Sequence, residues 1–156
     1  MKKLLIILLV ILCGCSSKEE EPLNEVINDD LPYEEVEKEE EKMRIEIDGN
    51  YLEVNWEDNE SVKELTEMVS KQVLTINMHR YGGFEQVGSL GFSLTSDDTR
   101  LTSKPGDIYL YDDNQIVIFF GSNTWSYTKL GSIINIDDLN TLLDKESVEL
   151  KISLEG

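Results

Sequence analysis

The chain has 156 residues, with 32 Asp and Glu against 14 Lys and Arg and a formal net charge of −18. Charge of that sign repels phosphate backbones and anionic lipid headgroups, which excludes a nucleic-acid partner and an electrostatically held membrane-surface protein. One histidine and two cysteines, Cys13 and Cys15, cannot assemble a His/Cys metal cage, and no cofactor is expected.

The chain opens Met1-Lys2-Lys3 and runs apolar from Leu4 to Leu12. Two lysines, a short apolar core and small residues after it make a secretory signal. As a helix the apolar run rises only about 14 Å, roughly half of a bilayer core, so it is too short for a stable span. Leu12-Cys13-Gly14-Cys15 resembles the lipobox of bacterial lipoproteins. That resemblance implies cleavage after residue 14 and a diacylglycerol on Cys15; an ordinary secretory signal cut nearby is the alternative. Two acyl chains on one residue give stable anchoring where one would be marginal. The expected location is therefore the cell membrane, lipid-anchored, with the rest of the chain on the extracytoplasmic side. After loss of the signal no disulfide or cysteine nucleophile remains.

Residues 15–42 form a tether. From Lys18 to Lys42 there are twelve acidic residues and three lysines, with Pro22 and Pro32 among them. Low hydrophobicity and high charge predict disorder, and self-repulsion extends the chain. A short charged helix from Glu34 to Lys42 is the second reading.

Residues 43–156 are long enough for one domain with its own core. Met43 to Ile47 and Tyr51 to Trp56 alternate around Asp48-Gly49-Asn50, which predicts a hairpin with one wet face. Ser61-Val62-Lys63-Glu64 fits a capping box, and Val62, Leu65, Met68 and Val69 share one face of a helix ending near Ser70. Val73 to Met78 is strand-like. Four glycines between His79 and Gly91 predict a loop or bulged strand, and Ser96 to Gly106 reads as polar connection. Ile108 to Tyr111 and Ile116 to Phe120 flank Asp112-Asp113-Asn114 as a second hairpin. Its second arm is apolar throughout, so both its faces are covered. Leu130 to Ile134 is a strand, Asp137 to Leu143 a small helix, and Ser147 to Leu154 a final alternating strand. The expected fold is mainly β: a closed barrel of about eight strands with two short capping helices.

Tyr81-Gly82-Gly83-Phe84-Glu85, Pro105-Gly106-Asp107-Ile108, Asn114 to Gly121 and Trp125 to Gly131 resemble, in order, the bacterial cyclophilin-like domain family. The resemblance implies a cyclophilin-type barrel over 43–156. True cyclophilins are peptidyl-prolyl isomerases that present His-Arg, a Phe and a Gln after the first helix. This chain has His79-Arg80, Phe84 and Gln86 there, each interval one residue shorter, and on a strand an odd shift turns a side chain to the other face. The candidate cleft comprises Arg80, Phe84, Gln86, Phe120, Trp125 and Tyr127, the last two being on one side of an extended segment. No catalytic residue and no metal ligand is assigned. The paired carboxylates Asp97-Asp98, Asp112-Asp113 and Asp137-Asp138 sit where turns and helix starts want Asp and lack calcium-loop spacing.

The expected function is a non-catalytic module that binds a peptide, protein or small ligand; the alternative is a divergent prolyl isomerase that assists the folding of exported proteins. For the anchor, Cys15→Ser should move the protein from the membrane pellet to the soluble fraction, and retention of that variant in the pellet would contradict lipidation at this residue.

Overall fold

The computed structural model describes residues 42–135 and 137–155. The signal over 1–14, Cys15 and the tether up to residue 41 lie outside the described residues.

The first alternating segments form β1 (Met43–Ile47), β2 (Asn50–Leu52) and β3 (Val54–Trp56). β2 pairs back on β1 as the expected hairpin, but β3 leaves it and pairs with β9 (Thr124–Ile133). The helix α1 (Glu60–Lys71) buries Val62, Leu65 and Val69, as its periodicity predicts. Its cap differs from the expected box. The Asn59 side chain accepts from the Val62 amide at 3.0 Å, while Ser61 donates to the Thr95 carbonyl and Glu64 accepts from Thr95. Asn59, two residues earlier, caps in place of Ser61 because Ser61 and Glu64 are spent on tying the helix to the following connection.

β4 (Leu74–Tyr81) turns through Gly82 and Gly83, both at positive φ, into β5 (Glu85–Ser89). The glycine-rich stretch is thus a tight hairpin, because glycine supplies the left-handed conformations that such a turn needs. β6 (Thr99–Thr102) is a short, largely exposed strand beside β9, within the stretch expected to be polar connection. β7 (Asp107–Tyr111) and β8 (Gln115–Phe119) form the second hairpin, and Asp112 and Asp113 both take positive φ in its turn. α2 (Leu139–Leu143) and β10 (Ser147–Leu154) complete the described chain.

The strands pair in the order β2-β1-β10-β4-β5-β8-β7-β9-β3, with β6 branching from β9. The two end strands, β2 and β3, are separated only by Glu53, so the sheet comes round on itself as a nearly closed barrel. Ten strands, rather than about eight, arise because one expected arm splits at Glu53 and the polar segment supplies β6. The interior is filled by Ile45, Ile47, Ile76, Met78, Ile108, Leu110, Ile116, Ile118, Leu150 and Ile152, with Leu65 of α1 and Leu143 of α2 joining the same cluster. A second cluster, Tyr109, Val117, Phe119 and Tyr127, lies on the opposite side of the sheet. This is why β8 is apolar at alternate and intervening positions alike: Ile116 and Ile118 face in, Val117 and Phe119 face out.

Closure depends on a close approach. A Cβ on Gly131 would lie 2.8 Å from the Asn55 carbonyl oxygen and 3.0 Å from Val54 Cγ1. Because backbone is struck, a side chain there must push β3 away from β9. Gly131→Ala is expected to destabilise the fold by about 1–3 kcal/mol, the usual cost of overpacking. Urea unfolding monitored by circular dichroism would measure it, and an unchanged midpoint would show that the β3–β9 seam yields freely.

Candidate functional site

The outward cluster forms the floor of a cavity of about 370 Å³. β5 contributes Glu85 and Val87, β8 contributes Gln115 and Val117, and β4 and β7 contribute Tyr81 and Tyr111 at their ends. Asn123, Trp125 and Tyr127 supply the remaining wall. The register explains the grouping. Tyr81 pairs with Glu85, Val87 with Val117, and Tyr111 with Gln115, and directly paired residues project from the same face. Beneath them the rings pack edge to face: Tyr109 to Phe119 at 5.6 Å between centroids, Phe119 to Tyr127 at 5.6 Å and Tyr111 to Tyr127 at 5.8 Å.

Glu85 is the anomaly in this surface. It is 4% exposed, and among the described residues its Oε2 has no hydrogen-bond partner. No salt bridge of the described residues includes it; Arg80 pairs with Asp144, and Lys129 with Glu57 and Asp107. Burial therefore pushes its carboxyl up to about 7, against a smaller opposing effect of the Tyr127 hydroxyl. The neighbouring phenols respond in the same sense: burial raises both Tyr109 and Tyr127, so they stay neutral. Tyr109 is further fixed by donating to Asp107 Oδ2 at 3.0 Å, and Asn123 donates to the Tyr127 hydroxyl at 3.3 Å.

The six residues named from the sequence divide between this cavity and other places. Tyr127 and Trp125 line it, Tyr127 buried and Trp125 52% exposed. Arg80 lies at its own exposed ion pair with Asp144, 2.9 Å away, with its guanidinium 5.9 Å from the centre of the Phe120 ring. Phe120 belongs to the interior cluster. Phe84 stacks on Phe119 at 6.3 Å at the edge of the outward cluster, and its carbonyl accepts from the Phe120 and Gly121 amides. Gln86 points inward and is fully buried. Its amide nitrogen donates to the Leu143 and Lys145 carbonyls at 2.8 and 2.7 Å, tying α2 to the barrel mouth.

Sequence reasoning missed Glu85, Tyr81 and Tyr111. A signal for Glu85 was present: β8 is apolar on both faces, so an immediate neighbour strand must also be buried on both, and a carboxylate on it must be under cover. A larger hollow of about 590 Å³ lies beside β2 and α2, but all its polar side chains are exposed, so it has no comparable group. No group of three or more His, Cys, Asp or Glu among the described residues could hold a metal ion, and none of their helices is long and apolar enough to cross a membrane.

A model of the cyclophilin-like family matches residues 45–155. Among solved structures, the chain is similar to the solution structure of the hypothetical protein AF2241 from Archaeoglobus fulgidus, with 14% identity, a TM-score of 0.51, and coverage of 74% of this chain and 95% of that one. It is also similar to a structure of McbB in complex with tryptophan, with 12% identity, a TM-score of 0.49, and coverage of 74% of this chain and 45% of that one. These likenesses concern the fold alone. Among curated proteins, none matches the chain.

A raised carboxyl links stability to pH. The neutral form of Glu85 favours the folded state, so its contribution is complete below the ordinary value of 4.5 and is lost as pH rises to about 7. Glu85→Gln keeps the shape without the charge. Relative to the parent protein, it should gain stability between pH 5 and 8, by up to about 3 kcal/mol at about 1.4 kcal/mol per tenfold change in proton affinity. Denaturant midpoints across that range test this, and a constant difference would contradict an unpaired buried carboxyl.

Proposed function

Because this chain belongs to the cyclophilin-like family, we propose that it is a binding module, taking a peptide side chain or small ligand into the outer-face cavity without turning it over. One observation carries the reading: a carboxyl nine-tenths buried, without a partner among the described residues, stands in an aromatic-walled cavity. Binding pockets have this composition, mostly apolar with a few convergent polar groups. A fold gains nothing in stability from such a group, since burying it unpaired is costly. In this reading the domain stands on the extracytoplasmic face of the membrane, held through lipidated Cys15. The N-terminal sequence supports that placement.

The prolyl-isomerase alternative draws less support. That chemistry uses a guanidinium to polarise the amide beside an apolar pocket for the ring. Here Arg80 is engaged with Asp144, and Gln86 is turned into the barrel to hold α2. The two therefore project from the face opposite the cavity.

A proline-isomerisation assay on the purified full chain, with proline-peptide titrations followed by amide shifts, tests the reading. No acceleration is expected at micromolar protein, and any peptide that binds should shift Glu85, Val87 and Tyr127. Catalysis abolished by Arg80→Ala would overturn the binding-module reading in favour of the isomerase.

A further inference from the structure

We propose that the outer-face cavity recognises an organic cation, an amine or quaternary ammonium group, with Glu85 as its counter-ion and the rings of Tyr81, Tyr111, Trp125 and Tyr127 as its walls. This rests on the cavity being a binding site, and adds the chemical class of the ligand.

The composition of the walls favours a cation. No Lys or Arg lines the cavity, and its sole ionisable group besides the phenols is a carboxyl. A ligand carboxylate or phosphate would meet Glu85 with no cation to offset it. Aromatic faces present the negative side of their quadrupole, which attracts a cation held within about 6 Å of the ring centre. Four such rings around one carboxyl supply both a counter-charge and a weakly hydrating cage. The cage also suits a partly desolvated ammonium better than an alcohol, which would satisfy one Glu85 oxygen but gain nothing from the rings. Finally, the folded segment is strongly acidic: residues 43–156 carry a net −11, which raises the local concentration of cations and speeds their capture.

The protonation of Glu85 then becomes part of binding. A cation favours the ionised carboxylate, and burial has pushed that group up to about 7. Cation affinity should therefore be level above pH 7 and fall below it, approaching tenfold per pH unit. The other groups facing this region are the phenols of Tyr81, Tyr109, Tyr111 and Tyr127, Asp107 beneath Tyr109, exposed Asp112 and Asp113 in the β7–β8 turn, and exposed His79 opposite Val87 on β4. Histidines as a class change charge in this range. The slope is assigned to Glu85 only if Glu85→Gln removes it.

The test titrates the purified full chain at pH 8 with three probes of similar size: 2-phenylethylammonium, 2-phenylethanol and 3-phenylpropionate. Calorimetry reads the affinity and amide shifts read the place. The cation should bind at least about tenfold more tightly than the alcohol, as expected from a desolvated ion pair plus cation–π contact. The carboxylate should not bind. Glu85→Gln should abolish the preference, and Trp125→Ala, at a half-exposed position that leaves the core intact, should weaken the cation about threefold. If the alcohol binds as well as the cation, or the carboxylate binds better, the cation proposal is overturned while the cavity reading stands. If Trp125→Ala leaves cation affinity unchanged, the aromatic cage is overturned. If none of the three probes shifts the cavity resonances, the cation proposal and the small-ligand form of the cavity reading fall together.

Discussion

The architecture depends on a strand that changes partners. Asn50 to Trp56 begins as the return arm of a hairpin on β1 and, one residue after Leu52, becomes the partner of β9. That change joins the first strand of the sheet to the last. Without it the sheet would have two open edges and an uncovered apolar face, a liability for any long β-sheet. The seam tolerates no bulk, since β9 presents Gly131 where β3 comes closest. It is then locked by polar contacts: Ile134 donates to the Glu53 carbonyl, and the Trp56 indole donates to the Met43 carbonyl at 2.8 Å. The register shift between Ile108 and Tyr109 lies on the other side of β9, opposite Gly131 and Lys129, where extra twist helps the sheet to turn.

Once the barrel is closed, inside and outside are strict alternatives, and β5 illustrates how sharply they differ. Glu85 and Gln86 are adjacent, nearly isosteric and both buried, yet they do unrelated work. Gln86 faces in and converts two carbonyls at the end of α2 into a hydrogen-bonded mouth for the barrel. Glu85 faces out onto aromatic rings and keeps an oxygen without a partner among the described residues. The difference in their surroundings, polar carbonyls on one side and π-faces on the other, decides that one is structural and the other chemically available. Shifting the strand by one residue would exchange the two environments.

Much of this was legible in the sequence. The β7–β8 hairpin, β10, the helix face of α1 and the small helix after Asp137 all come from apolar period and turn chemistry, and the family resemblance supplied the closed barrel. What escaped has physical reasons. β6 is Thr-Arg-Leu-Thr, mostly wet, and owes its order to backbone pairing with β9 rather than to burial, so no hydrophobic pattern marks it. The helix cap fell to Asn59 because Ser61 and Glu64 had a distant partner, Thr95, that local spacing cannot reveal. Among the site residues, Trp125 and Tyr127 could be paired by their i, i+2 spacing. Arg80, Phe84 and Gln86 drew attention through motif likeness, and the structure distributes them to an ion pair, a ring stack and a helix tie. Glu85 closes the Tyr-Gly-Gly-Phe-Glu run without standing out from it, because its importance comes from the neighbouring strand and not from its own.

The outward position of the cavity bears on how such proteins can diverge. The side chains that close and fill the barrel point one way, and those that meet a ligand point the other, so a substitution in one set leaves the other nearly untouched. The scaffold can be inherited while its outer face is rewritten one residue at a time, without passing through unstable intermediates. A solved relative can therefore share this backbone at 14% identity while saying nothing of what the outer face holds. In a lineage built on this plan, ancestry is recorded in the inward residues and occupation in the outward ones, and Glu85 belongs to the second record.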